Sequence, residues 1–336
     1  MAGGKLFLLA VILILALVAA AGYGALHYMT ALPGTPHRGA LPALTADEAA
    51  LAARLKGHIE IIAAREHNID SYEALENAAR YIEASLHGLG YEVGRQIFTV
   101  RGKPVRNIDA IIEPAPGITE PDVLVIGAHY DSAQGTPGAN DNASGVAAIL
   151  ELAGLLADLK GTTKKRIRLV LFVNEEPPYF KTADMGSLRY ADVLAARGER
   201  VVAMYCLETI GFYSDAPGSQ QYPAPFGMLF PDRADFVAFV GLLGSRPLVR
   251  ETVRSFRAHT AFPSIGGVAP GFIPGIDWSD HWSFAQHGFQ AVMITDTALY
   301  RYPHYHQPSD TPDKVDVERL ARVTKGIERV IRDAAR

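Results

Sequence analysis

The longest apolar stretch lies at the start of the chain. No charged residue falls between Leu6 and Leu26, and Leu6 to Ala21 is almost wholly aliphatic or alanine. These roughly 21 residues match the about 20 that a helix needs to cross a hydrocarbon core. From Thr30 to Leu44 the pattern breaks up around Pro33, Gly34, Pro36, Gly39 and Pro42, too rich in Pro and Gly for a helix, and reads as a spacer. Thr45-Ala46-Asp47-Glu48 then fits a capping box, and Leu51, Leu55, Ile59 and Ile62 recur at helical spacing. A second helix is expected from about Tyr72 to His87, stopped by Gly88 and Gly90.

Tyr91–Val100 and Asn107–Glu113 read as a pair of strands, after which strand, loop and helix alternate. Val123–Ala128 is a continuous apolar run of buried-strand length. Ala143–Leu159 follows as a helix, Ile167–Val173 as a strand, Ser187–Ala196 as a helix and Val201–Leu207 as a strand. Ala291–Ile294 is a late strand, and Val315–Ala335 closes the chain as an amphipathic helix. Strands apolar throughout and alternating with helices predict an α/β domain: one central, mostly parallel mixed sheet with helices on both faces. The boundaries expected are 1–28 for a cytoplasmic stub and transmembrane anchor, 29–44 for the tether and 45–336 for the folded domain. No internal repeat or low-complexity tract is visible, and Lys164-Lys165-Arg166 reads as a solvated loop.

Composition narrows the function. With 336 residues, 49% of them hydrophobic and 20% charged, the chain has ample core for one large domain. A net charge of -4 gives no footprint for nucleic acid. The single cysteine, Cys206, excludes an internal disulfide and a Cys-rich zinc site, and its apolar surroundings make it a core thiol. Lys5 precedes the apolar run and the first Arg after it is Arg38, so the positive-inside bias places the folded domain outside the cytoplasm. The rival reading is a cleaved signal peptide, with Ala19-Ala20-Ala21-Gly22 as small residues near a cleavage point, which secretes the same domain.

Functional groups in open α/β sheets gather beyond the carboxyl ends of the strands. There the sequence places His129-Tyr130-Asp131, Asn174-Glu175-Glu176 and Glu208, with Asn140-Asp141-Asn142 and His304/His306 in loops. Brought to one edge they form a cluster of histidines and carboxylates that resist ionising together unless a cation joins them. Histidine among the donors favours zinc over magnesium or calcium, with cobalt or manganese as substitutes.

These blocks resemble peptidase family M28. The resemblance rests on Gly127-Ala128-His129-Tyr130-Asp131-Ser132, Ala139-Asn140-Asp141-Asn142-Ala143-Ser144-Gly145, Asn174-Glu175-Glu176, Ser279-Asp280-His281 with Phe284, and His306-Gln307-Pro308-Ser309-Asp310-Thr311. It covers about Val123 to Thr311, and five blocks in order make it specific. It implies a zinc exopeptidase-like fold and two zinc ions per chain. His129 and Glu208 would hold one, Glu176 and His306 the other, and Asp141 would bridge them. Glu175 would be the general base, taking a proton from metal-held water. Asp131 would bond the ring of His129 and fix its tautomer. The Asp141-Asn142 peptide would be cis.

Three departures stand out. Glu208-Thr209-Ile210-Gly211 replaces the family's aspartate ligand block. The stretch Pro177–Met185 is longer than the family's turn, and with Pro177, Pro178, Tyr179 and Phe180 it reads as a stiff aromatic lip. His304, two residues before His306, is the competing ligand, but the spacing from His306 to Asp310 matches the family. His281 is expected to support the site without ligating. His37, His58, His67, His87, His259 and His287 are expected at surfaces or helix ends. Trp278, Trp282, Phe180, Tyr300, Tyr302 and Tyr305 are candidates to line a side-chain pocket, each more often core than specificity element.

The resemblance implies a metal-dependent aminopeptidase acting on peptides with a free N-terminus. Two other readings compete: a glutaminyl-peptide cyclotransferase, for which the resemblance implies one zinc, and a non-catalytic ectodomain, which predicts lost ligands or a lost base. All five ligand positions and Glu175 hold competent residues.

Overall fold

A computed structural model describes residues 2–336. The first helix, α1 (Ala2–Thr30), is exposed along its apolar span. Residues 31–45 carry no helix or strand, yet they are tied to the domain: Arg250 donates to the Ala31 carbonyl, Arg257 to those of Pro33 and Gly34, and Arg322 to that of Pro42. α2 (Ala46–Ile62) starts at Thr45 with both halves of the capping box formed. α3 (Tyr72–Gly88) follows.

The sheet has eight strands: β1 (Val93–Val100), β2 (Lys103–Ile112), β3 (Val123–His129), β4 (Arg166–Phe172), β5 (Val201–Glu208), β6 (Val237–Leu242), β7 (Ser264–Ala269) and β8 (Ala291–Thr295). Their order is β1-β2-β4-β3-β5-β8-β6-β7. The pairs β4/β3, β3/β5, β5/β8 and β6/β7 are parallel; β1/β2, β2/β4 and β6/β8 are antiparallel. The sheet is therefore mixed, with a parallel centre.

Side-chain alternation along the strands separates two cores. Leu124, Ile126, Leu169 and Leu171 face α2, α3, α4 (Ser144–Leu155) and α8 (Val317–Ala334). Val123, Val125, Val170 and Phe172 face α5 (Gly186–Ala196) and α7 (His281–Ala285). Cys206 is buried on the second face, as a core thiol should be.

The sequence pattern assigns nothing between residues 209 and 290, where β6, α6 (Arg246–His259), β7 and α7 lie. α6 is legible in retrospect, because its buried Leu248, Val249, Thr252, Val253 and Phe256 keep helical spacing. β2 starts four residues before the expected Asn107. Pro104 sits where β4 no longer pairs, so its missing N–H costs no ladder bond.

Candidate metal centre

Four parallel strands bring their carboxyl ends to one edge. His129 ends β3 and pairs in register with Phe172, the last residue of β4, so Glu175 and Glu176 emerge beside it. Glu208 ends β5 next to Thr295, the last residue of β8, and the loop after β8 carries His306.

The remaining group, Asp141, sits in a loop fixed from the far end of the chain. The carboxylate of Asp310 accepts from the backbone N–H of Asn140 (2.8 Å) and of Asp141 (3.1 Å), and the Tyr302 hydroxyl donates to Asp310 (2.6 Å). Asn142 ties the same loop to β5, donating to the Leu207 carbonyl (2.8 Å) and accepting from the Thr209 N–H (3.1 Å). The Asp141-Asn142 peptide is cis. Gly138 has φ +69°, and a Cβ there would lie 2.5 Å from the Asp141 carbonyl oxygen, so only glycine fits. Asn174, Thr209 and His306 also adopt positive φ, each at or beside one of the charged groups. Left-handed backbone at non-glycine residues collects at functional sites.

Two triads result. His129 Nε2 lies 3.3 Å from Asp141 Oδ1 and 3.4 Å from Glu208 Oε2. His306 Nε2 lies 3.1 Å from Asp141 Oδ2 and 3.2 Å from Glu176 Oε2. Asp141 thus gives one oxygen to each, and each triad has its ligand atoms within 4.8 Å of one another. Donors bound at about 2.0–2.1 Å around a tetrahedral cation stand roughly 3.3 Å apart, which these spacings match. His129 Nε2 and Glu176 Oε1 are buried without a hydrogen-bond partner, so a cation would satisfy atoms that are otherwise costly to bury. The residues fit zinc.

Electrostatics agree. Burial and the neighbouring carboxylates of Glu208 and Glu176 push Glu175 well above the carboxylate range, although His129 opposes them. Burial, then Asp141, raises Glu176 to about 7. Burial raises Glu208 too. Burial alone would lower His129, but Glu208 and Glu175 outweigh it and hold it well above its usual value. Asp141 is the exception: against burial, the adjoining imidazoles of His129 and His306 hold it below the usual range.

Glu175 stands slightly apart, with Oε2 3.9 Å from His129 Nε2. It is placed by Asp131, whose two carboxylate oxygens accept from the N–H groups of Glu175 (3.0 Å) and Glu176 (3.1 Å). The bond expected from the Asp131 carboxylate to the His129 ring is not the close one. His129 Nδ1 lies 3.0 Å from the Asp131 carbonyl oxygen and 3.7 Å from its carboxylate, which the two amides have claimed. The ring is still oriented, but by backbone.

Ser279 was legible as part of a motif, not as a contact: its hydroxyl donates to Glu208 Oε2 at 2.6 Å. Glu208 is one methylene longer than an aspartate, and this bond holds the longer side chain in place. Replacing Ser279 with alanine is expected to weaken zinc binding about 10- to 100-fold, as loss of a ligand-orienting partner does. Competition against a zinc chelator measures it; unchanged affinity would deny Ser279 that part.

His304 turns away, its Nδ1 2.8 Å from Ser309 Oγ. His281 is buried with its ring bonded to the Ile276 carbonyl (2.8 Å), and burial lowers its pKa to about 4. His67, expected near the surface, is buried instead, its ring bonded to the Arg65 carbonyl and its N–H to Ser132.

Beside the cluster opens an apolar cavity of about 920 Å³, mouth included. Glu208, Thr209 and Tyr305 form its cluster end, and Tyr305 stacks on His306 with ring centroids 4.0 Å apart. Trp278 and Tyr300 line it as the sequence allowed, whereas Phe180, Trp282 and Tyr302 do not. Tyr222, Phe226, Phe230 and Val240 line it unforeseen, and so do Met29 and Thr30 at the end of α1. The 177–185 stretch does not line the cavity. Lys181 fastens it to Asp277 (2.6 Å), with the Lys181 amine 5.3 Å from the Trp282 ring centroid.

The chain is similar in sequence and fold to known proteins. The description "Peptidase family M28" matches residues 107–331. The uncharacterized protein YfbL of Escherichia coli is 42% identical over 267 residues, 77% of this chain and 80% of its own. Aminopeptidase YwaD of Bacillus subtilis is 28% identical over 219 residues, 64% of this chain but only 41% of that longer protein. Among solved structures, an aminopeptidase from Aneurinibacillus superposes with TM-score 0.67 at 20% identity, covering 85% of this chain and 94% of that one. A glutaminyl cyclase from Fimbriiglobus ruber gives 0.61 at 20% identity, covering 89% and 98%. At those identities the two structures speak to the fold alone.

Proposed function

The chain belongs to peptidase family M28, and from that premise we propose that it is a zinc-dependent aminopeptidase anchored in a membrane by α1, with the catalytic domain outside the cytoplasm. The observation that carries the reading is the pair of triads sharing Asp141, with the buried carboxylate of Glu175 beside them.

His129, Asp141 and Glu208 would hold one zinc ion, and Asp141, Glu176 and His306 a second. Bound there, zinc supplies Lewis-acid polarisation of a carbonyl and makes water in the site more acidic. Glu175 takes a proton from the water that adds to the first peptide carbonyl carbon. When the carbon–nitrogen bond breaks, the same carboxyl gives that proton to the departing amine. Asp131 keeps Glu175 in position through its backbone N–H. The carboxylates of the cluster attract the substrate's free α-amine, and the apolar cavity takes the side chain of its first residue.

Cavity lining by Phe226, Val240, Trp278 and Met293 gives an expected selectivity. Leucyl, methionyl and phenylalanyl anilides should be cleaved with higher kcat/KM than aspartyl, glutamyl or lysyl ones. A preference for charged first residues would contradict it. Chelation should abolish turnover and added zinc restore it.

A second reading is cyclisation of an N-terminal glutamine, supported by the fold shared with the Fimbriiglobus ruber enzyme. Against it stand two complete triads where that reading needs one metal. Glutaminyl peptides in the same panel separate the two: hydrolysis releases the first residue, whereas cyclisation releases ammonia and keeps the peptide whole.

A further inference from the structure

The path of the chain out of α1 fixes which way up the domain sits. Arg246, at the start of α6, donates to the Tyr28 carbonyl (2.8 Å) and lies 4.2 Å over the Tyr28 ring. Arg250 donates to the Ala31 carbonyl, and Arg257, near the end of α6, to Pro33 (2.8 Å) and Gly34 (3.0 Å). From Arg246 to Arg257 the helix rises about 16 Å, a span that Tyr28 to Gly34 can just cover with about 3 Å of helix to Thr30 and at most about 14 Å of chain beyond it. The segment therefore runs alongside α6 in the same direction. Gly267 in β7 seals the contact, since a Cβ there would lie 2.4 Å from the Met29 carbonyl oxygen.

Sheet direction supplies the orientation. β6 is antiparallel to β8, and β7 follows β6, so Leu242 and Ala269 end at the edge opposite the metal centre. α6 starts at that far edge and returns toward Ser264, whose carbonyl Arg257 also holds (2.9 Å). Tyr28 is thus at the far edge, and the earlier turns of α1 lead away from the domain there.

Two large apolar side chains project at the same edge. Leu243 follows β6 and is 43% exposed; Phe272 follows β7 and is 86% exposed, more than any large apolar residue of α1 itself. The apolar run of α1 is interrupted at His27, one residue before Tyr28. Tyr23 and Tyr28 mark the headgroup layer, where aromatic residues concentrate.

We propose that the edge carrying Leu243 and Phe272 is a lipid-docking surface, seated in the leaflet from which α1 emerges. The proposal rests on the anchoring stated above. The bilayer is the occupant because the spanning helix enters the domain at this edge, pinned by three arginines and a glycine contact instead of a free linker. The metal centre then stands one strand length above the lipid, roughly 23 Å for the eight residues of β5, and faces water.

The test places one fluorophore at a time on the full chain through Leu15→Cys, Leu243→Cys, Phe272→Cys and Gln307→Cys, with Cys206 buried and left unlabelled. The protein is reconstituted into phosphatidylcholine–phosphatidylglycerol vesicles containing lipid spin-labelled near the headgroup or along the acyl chain. Probes at Leu15, Leu243 and Phe272 should lose most of their emission, while Gln307, in the loop at the metal edge, keeps its own. Quenching at Leu15 without quenching at 243 and 272 overturns docking and leaves anchoring intact. Quenching at Gln307 overturns the orientation. No quenching at Leu15 overturns the anchoring and the docking with it. Leu243 and Phe272 lie outside the cluster, so their labelled variants should cleave a soluble aminoacyl anilide at the unmodified rate; loss of that activity in both would overturn their assignment to a lipid contact alone.

Discussion

Replacing Glu175 by glutamine is expected to leave zinc content unchanged and to lower kcat by about 10²- to 10⁴-fold, the range for loss of a positioned general base. The carboxamide keeps the size of the side chain, and the backbone N–H of residue 175 still donates to Asp131, so the loop should hold its shape. What disappears is a group able to accept and return a proton. Because Glu175 stands 3.9 Å from His129 Nε2, farther than the donors of either triad, metal affinity should change little. KM for a leucyl anilide should likewise move far less than kcat. Normal turnover in this variant would remove Glu175 as the base.

Asp141→Ala is expected to do the opposite: to remove the metal first and activity as a consequence. Asp141 contributes an oxygen to each triad, so a single truncation leaves both with two ligands. It also removes the carboxylate that pairs with both His129 and His306, leaving His129 facing Glu208 and His306 facing Glu176. Saturating zinc at about 1,000 times its dissociation constant stabilises a folded protein by about 4 kcal/mol per site. In a domain of this size that is a rise in Tm on the order of 10 °C. The unsubstituted protein and Glu175→Gln should both show the rise, and Asp141→Ala should not. Retention of the full zinc-dependent shift in Asp141→Ala would mean that the ions bind elsewhere.

Much of this was readable from residue order. The strands β3, β4, β5 and β8 announced themselves as unbroken apolar runs, because a sheet buried on both faces has no polar side to alternate with. Once those strands are parallel, the residues at their ends must converge, which is why His129, Glu175, Glu176 and Glu208 were visible as one group. The loop residues needed more. That Asp310 grips the Asn140–Asp141 backbone from 169 residues away follows from no local pattern, and neither does the bond from Ser279 to Glu208. The cavity was half legible: Trp278, Tyr300 and Tyr305 flank motifs, but Tyr222, Phe226 and Phe230 belong to an irregular stretch whose aromatics carry no period. β6 and β7 escaped because their six residues are diluted by glycine (Gly241, Gly266, Gly267). Gly267 is there for the close approach of Met29, a contact between segments more than 200 residues apart.

The most direct test of the account is anomalous diffraction at the zinc edge from crystals grown with zinc. Two peaks are expected, one among His129, Asp141 and Glu208, the other among Asp141, Glu176 and His306. An edge of β3, β4, β5 and β8 with no peak flanking Asp141 would contradict it.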